Sequence, residues 1–382
     1  MNASVSKSAP GDWPALDWAG WSATAGTLHM WLQTVGKVRM ALAPPVNHWW
    51  HVTLYVTSRG LTTSPIPCGG GTFEIAFDFI DHELRIEKSD GGRETIALRA
   101  MSVAAFYAAL MAVLDGFGID VHIWTMPCEV PDAVAFDRDN VNCSYDAAAA
   151  QRYWRALVQI DRVFKRFRGP FLGKVSPVHL FWGSFDLAVT RFSGRIAPPH
   201  PGVAPNFANW AMQEAYSHEV SSVGFWPGNG GYGCAAFYSY AYPEPEGFAA
   251  AELRTPGAFY DTQLKEFVLP YDDVRKSADP DSALMMFCED TYIAAAAGAK
   301  WTARRSSGKI RFRRESAEAA SERGRRTFPA HRGRGSKKPG APAGLFRDRL
   351  ARNITRYRTS AHNKCCAKPA RSSAAFRCRP PA

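Results

Sequence analysis

Apolar residues recur at steps of three and four along several stretches of the chain, and alternate singly along others. Leu28, Trp31, Leu32, Val35, Val38 and Leu42 form one stripe, which predicts a helix over residues 22–42, stopped by Pro44 and Pro45. The following stretch, NHWWHVTLYVTSRGLTTSPIP, reads as a strand with Val52, Leu54 and Val56 on the core side. In TFEIAFDFI the phenylalanines and Ile75 share one face, and HELRIEKSDGGRETIAL reads as a hairpin turning at Asp90, Gly91 and Gly92. From Ser102, an N-cap, the stripe Val103, Phe106, Tyr107, Leu110, Val113, Leu114 and Phe117 predicts a second helix closed by Gly118.

The second half repeats the plan. Trp154, Leu157, Ile160, Phe164 and Phe167 mark a helix over 146–167, strands follow from Val178, and Asp279 with Pro280 opens a last helix. Laying Trp50 on Trp182 without a gap brings Arg59 onto Arg191 and Pro67 onto Pro199, which suggests a tandem duplication. The expected fold is therefore α+β: two similar helix, antiparallel-sheet, helix units, 13–130 and 131–301, packed as one compact body.

Charge divides the chain. It carries 46 Lys and Arg against 35 Asp and Glu, but 23 of the basic and 4 of the acidic residues lie from Trp301 onward, so the preceding part is mildly acidic. The stretch 302–382 has no apolar period and is rich in Arg, Ala, Gly, Pro and Ser. Such a composition predicts a disordered basic tail, a private extension or a frameshifted product, able to touch nucleic acid only non-specifically. No apolar run reaches signal-peptide or membrane-span length, so a cytoplasmic protein without membrane contact is expected. Cys68, Cys128, Cys143, Cys234 and Cys288 show no Cys-x-x-Cys spacing, and no metal or cofactor is expected.

The motifs PPVNHWW, LYVTSRGLTTSPIP, SPVHLFWGSFDLAVTRFSGR, EAYSHEV, GFWPG and LPYDDVR together resemble a bacterial family catalogued as domain of unknown function 5996, over roughly residues 13–301. The resemblance implies membership and carries no activity, cofactor or site residue with it. The basic tail departs from the family's usual length.

Candidate chemistry comes from the residues themselves. GNGGYG, 228–233, matches a phosphate-loop pattern, but the alternation after it predicts a strand, so a hairpin loop is the better reading. His48, His179, His218, Asp186 and Glu219 are possible acid–base groups or metal ligands without helical ligand spacing, and Ser184 lacks a G-x-S-x-G elbow. Arg59, Arg191 and Arg195 stand beside hydroxyl residues, as carboxylate- or phosphate-binding guanidinium groups do. With Asn47, His48, Trp50, His179, Trp182, His218 and Trp226 they outline a ligand pocket for a small polar or anionic molecule, in an enzyme or a binding protein. As a pocket residue, Arg191 should be replaceable by Ala at a loss below about 1 kcal/mol. A tryptophan-rich interaction surface and a metal-dependent hydrolase are the alternatives. Oligomeric state is left open.

Overall fold

The computed structural model describes residues 12–202 and 204–301. The segment expected to be a disordered tail lies outside the described residues. Helix α1 runs over Trp18–Leu42, α2 over Val103–Gly116, α3 over Ala147–Arg168, α4 over Asn209–Ala215, α5 over Tyr271–Lys276 and α6 over Pro280–Gly298. Their ends follow from capping chemistry. The side chains of Ser102, Asp146 and Asp279 each accept a hydrogen bond from a backbone N–H in the first turn of α2, α3 and α6.

Two six-stranded antiparallel sheets account for the strands, so the fold is α+β. The first contains β1 (Tyr55–Val56), β2 (Gly60–Thr62), β3 (Ile66–Cys68), β4 (Gly71–Asp78), β5 (Glu83–Lys88) and β6 (Arg93–Ala97). Its order is β1-β2-β4-β5-β6, with β3 also paired to β4. The second contains β7 (His179–Phe181), β8 (Asp186–Ile196), β9 (His218–Trp226), β10 (Ala236–Tyr242), β11 (Phe259–Asp261) and β12 (Glu266–Pro270). Its order is β11-β12-β10-β9-β8-β7. The glycine-rich 228–233 stretch joins β9 to β10 as a hairpin loop, as its flanking alternation predicts.

The sheets meet where Leu54 and Leu180 exchange both backbone hydrogen bonds, at 3.0 and 2.8 Å. Beside this bridge the Thr53 hydroxyl meets His179 Nδ1 at 3.2 Å, across the same separation of 126 residues. The bridge is antiparallel, so the segments run past one another with Val52 beside Trp182, whose indole N–H reaches the Val52 carbonyl. Alternation misjudges the opening stretch: residues 47–49 form a 3-10 turn, and His51 and Thr53 are as buried as Val52 and Leu54. A segment squeezed between two sheets has no solvent side.

Helices α3 and α6 cover one face of the second sheet. There Arg191 is 2% exposed, its guanidinium 3.4 Å from the Phe167 ring centre and 4.3 Å from that of Tyr292. It donates to the Phe167 carbonyl and pairs with Glu289 at 3.3 Å. These are the surroundings of a packing residue, and the expected loss below 1 kcal/mol has to be revised. Arg191→Ala leaves a gap between rings and strands a buried carbonyl, and should lower stability by about 3 kcal/mol or more. Urea unfolding with an unchanged slope checks this.

Candidate functional site

The opposite face of the second sheet is polar. Strand pairing places Ala188, Gly224 and Tyr238 in one row and Thr190, Ser222 and Tyr240 in the next, with Asp186 and Trp226 beyond them. On β12, Val268 pairs with Tyr238, so Glu266, two residues away, shares this face. Trp226 stacks on Tyr238 with ring centres 4.3 Å apart, and the Tyr216 and Tyr240 hydroxyls meet at 2.7 Å. Gly224 is required by this arrangement: a Cβ there would fall 2.3 Å from the Tyr238 ring. With that space free, the Tyr238 hydroxyl donates to Asp186 Oδ2, while the Ser184 hydroxyl donates to Oδ1.

Helix α1 places two of the acidic groups through a buried polar stripe at four-residue spacing. His29 Nε2 lies 2.9 Å from the Trp182 carbonyl and 3.0 Å from that of Gly183, and its ring stacks on Phe185 at 4.9 Å. This fastens the turn leading into Asp186. Gln33 pairs with the Cys128 backbone through both ends of its amide, at 2.8 and 2.9 Å. Lys37, fully buried, donates to the carbonyls of Trp124 and Met126. Together they hold the loop that presents Glu129, whose φ of 59° is a strained value for a residue with a side chain. Glu129 Oε1 lies against Gly183, 2.3 Å from where a Cβ would stand, so a larger residue there would displace the carboxyl.

The electrostatics are unusual. Burial raises the Glu129 carboxyl to about 7, and the Asp186 charge adds to the rise. Burial, then Asp186 and Asp261, carry Glu266 to about 8. Asp186 is itself pushed up by burial, against the hydrogen bonds of Ser184 and Tyr238. Among the described residues no Lys, Arg or His forms an ion pair with any of the three. Glu129 and Glu266 keep half-buried side chains while their carboxyls are desolvated. No group of three His, Cys, Asp or Glu among the described residues is spaced to hold a metal ion.

The residues singled out in the sequence fall into several places. Asp186 and Trp226 belong to the acidic hollow. His48, Trp50 and His218 gather near Phe192 further along β8, with His48 5.4 Å from Trp50 and 5.8 Å from His218 by ring centres. Phe192 is six residues from Asp186 along β8, about 20 Å at strand rise, so the two groups are separate. His48 Nδ1 is 2.9 Å from the Ala215 carbonyl and Lys174 Nζ 2.6 Å from its Nε2, while Asn47 is exposed. His179 is buried between the sheets, and burial drives its pKa down to about 3. Trp182 donates its indole N–H to the Val52 carbonyl at 2.7 Å. Arg59 pairs with Asp78 and Asp81 on the first sheet, and Arg195 with Glu219 at the end of α6, beside a 210 Å³ cleft. The guanidinium groups are thus engaged with carboxylates or rings and do not converge.

Glu129, Glu266, Tyr216, Tyr238 and Tyr240 were not legible as site residues. The signals were Tyr238, Tyr240 and Tyr242 alternating along one strand, and His29, Gln33 and Lys37 four apart in an otherwise apolar helix. The raised carboxyls have a measurable consequence. A folded pKa above the unfolded 4.5 contributes stability below that value and loses it as pH rises through about 7 and 8. The depressed histidines His29, at about 4, and His179, at about 3, act oppositely, but only below their ordinary 6.5. Between pH 7 and 9 the full-length protein should therefore lose about 1–2 kcal/mol from Glu266 and Glu129. Glu266→Gln should remove most of that loss in thermal melts, whereas an identical pH slope in the variant would contradict the assignment.

Comparison with known proteins gives one match. A family model described as a family of unknown function, DUF5996, covers residues 13–307. No curated protein and no solved structure matches the chain. Since the matched stretch takes in both sheets and the six helices of the described residues, more than half of the chain, the chain belongs to the DUF5996 family.

Proposed function

We propose that the protein binds a small polar molecule in the hollow formed by Glu129, Asp186, Tyr216, Trp226, Tyr238, Tyr240 and Glu266. The observation that carries this reading is three desolvated carboxyls, Glu129 and Glu266 each within electrostatic reach of Asp186, without a basic ion-pair partner among the described residues. Structural carboxylates are normally matched by a cation or water, because burying them unmatched lowers stability. Retaining such a group on a sheet face lined by aromatic rings is the mark of a site. The expectation of an anionic ligand gives way here, since Arg59, Arg191 and Arg195 are committed elsewhere.

The same arrangement suits proton transfer. At neutral pH Glu129 is divided between its two forms and Glu266 is mostly protonated, so one can accept and the other donate a proton. The tryptophan-surface alternative has less support: among the described tryptophans only Trp124 and Trp210 are exposed, at 58% and 50%, and the rest are buried or half-buried. No described helix is long and apolar enough to cross a membrane.

A thermal-shift screen of polar metabolites against the full-length chain tests the reading. Ligands that stabilise it should bind at least tenfold more weakly to Glu129→Gln and Tyr240→Phe, the worth of one hydrogen bond to a charged or buried group. Dependence on His48 or Lys174 in place of Glu129 would move the site to the other end of the sheet.

A further inference from the structure

We propose that Lys174 is a nucleophile that forms a Schiff base with a small aldehyde or ketone, with His48 beside it as the proton acceptor. This pair lies towards the other end of β8 from Asp186 and does not rest on the preceding reading. The first observation is the pairing itself. Lys174 Nζ lies 2.6 Å from His48 Nε2, and His48 Nδ1 lies 2.9 Å from the Ala215 carbonyl. A carbonyl oxygen only accepts, so Nδ1 carries the ring proton and Nε2 turns its lone pair to the lysine. Nucleophile, base and a third group that orients the base thus stand in sequence. The backbone departs from ordinary geometry where it aims the ring: His48 and Trp49 follow one another at φ of 58° and 60°, in the left-handed region that residues with side chains seldom adopt.

The second observation is what surrounds the amine. Lys88, Lys165 and Lys276 pair with aspartates, and Lys37 is buried against carbonyls. Lys174 forms no ion pair with any described carboxylate. Its Nζ lies 5.3 Å from the Trp50 ring centre and 5.2 Å from that of Phe192, and the His218 ring stands 5.8 Å from that of His48. Burial lowers the His48 imidazole and keeps its lone pair available, and desolvation lowers the Lys174 ammonium, so proton and acceptor are matched. His48 is 4% exposed whereas Lys174 reaches the surface, so a substrate meets the amine and not the base. The reaction balances without a further reagent. His48 Nε2 takes a proton from the ammonium, the neutral amine attacks the carbonyl carbon, and a C–N bond forms as the C–O π bond opens. The oxygen takes one of the two remaining amine protons and then the proton held by His48, and leaves as water from a protonated imine.

Reductive trapping in the full-length protein tests the assignment. Glycolaldehyde with cyanoborohydride at pH 7, followed by peptide mass spectrometry, measures the rate of adduct formation at each lysine, and the exposed Lys265 serves as the reference within the same molecule. Lys174 should be labelled about tenfold faster than Lys265 or more, the effect of one pKa unit on the fraction of neutral amine. Omitting the reductant should leave no stable adduct, because an imine hydrolyses. His48→Asn should bring Lys174 down to the rate of Lys265, asparagine being a residue that tolerates the left-handed backbone. Circular dichroism reports whether the variant folds, and the wild-type ratio decides the matter if it does not. Labelling of Lys174 at the rate of Lys265 in the wild-type protein, or an excess that persists in a folded His48→Asn, would overturn the proposal.

Discussion

A buried polar stripe on α1 is the feature on which the site depends. His29, Gln33 and Lys37 recur every four residues along the helix, and each hydrogen-bonds to the backbone of a distant loop. One end of the stripe fixes the turn before Asp186, and the middle and far end fix the strand-like segment before Glu129. Without those bonds Glu129 would have no defined position, because residues 117–146 contain no regular element longer than one 3-10 turn, whereas Asp186 is also held by the pairing of β8 with β7. Burial keeps His29 neutral, so its Nε2 serves the two carbonyls without placing a charge beside the acidic hollow.

The sheet supplies the rest by simple alternation. Asp186, Trp226, Tyr238 and Glu266 face one way; Leu187, Phe225, Phe237 and Phe267 face the other and pack under α3 and α6. Arg191 falls on the helix side by the same parity, which is why a residue that looks like an anion binder in TRFSGR becomes a cation held by rings. The division puts stability on one face and leaves the other free to carry groups that oppose it. Three carboxyls without countercharge are tolerable because the aromatic and aliphatic packing behind them is extensive.

Much of the architecture was legible because it is local. Stripes at three and four residues located α1, α2 and α3, Ser102 and Asp146 marked starts, Asp279 with Pro280 marked the start of α6, and Asp90-Gly91-Gly92 marked the β5–β6 hairpin. What sequence pattern could not supply is non-local. The antiparallel bridge of Leu54 with Leu180, and the hydrogen bond from the Trp182 indole to the Val52 carbonyl beside it, join segments 126 and 130 residues apart. Aromatic and histidine richness drew attention to NHWWH, whereas the acidic cluster and its aromatic neighbours come from six separate segments. Asp186 and Trp226 were visible candidates; Glu129 sits in an irregular loop, and Glu266 in a short strand, where an isolated glutamate carries no pattern.

The central claim is that Glu129 and Glu266 are held protonated well above the ordinary carboxylate range by burial beside Asp186. Carbon-detected NMR titration of the glutamate side-chain carboxyls in the full-length protein, with Glu129→Gln and Glu266→Gln to assign the signals, measures this directly. The account predicts midpoints near 7 for Glu129 and near 8 for Glu266, with Glu266 shifting downward in Asp186→Asn. Midpoints between 4 and 5 for both, unmoved by Asp186→Asn, would mean that the carboxyls are solvated and that the hollow is an ordinary polar surface.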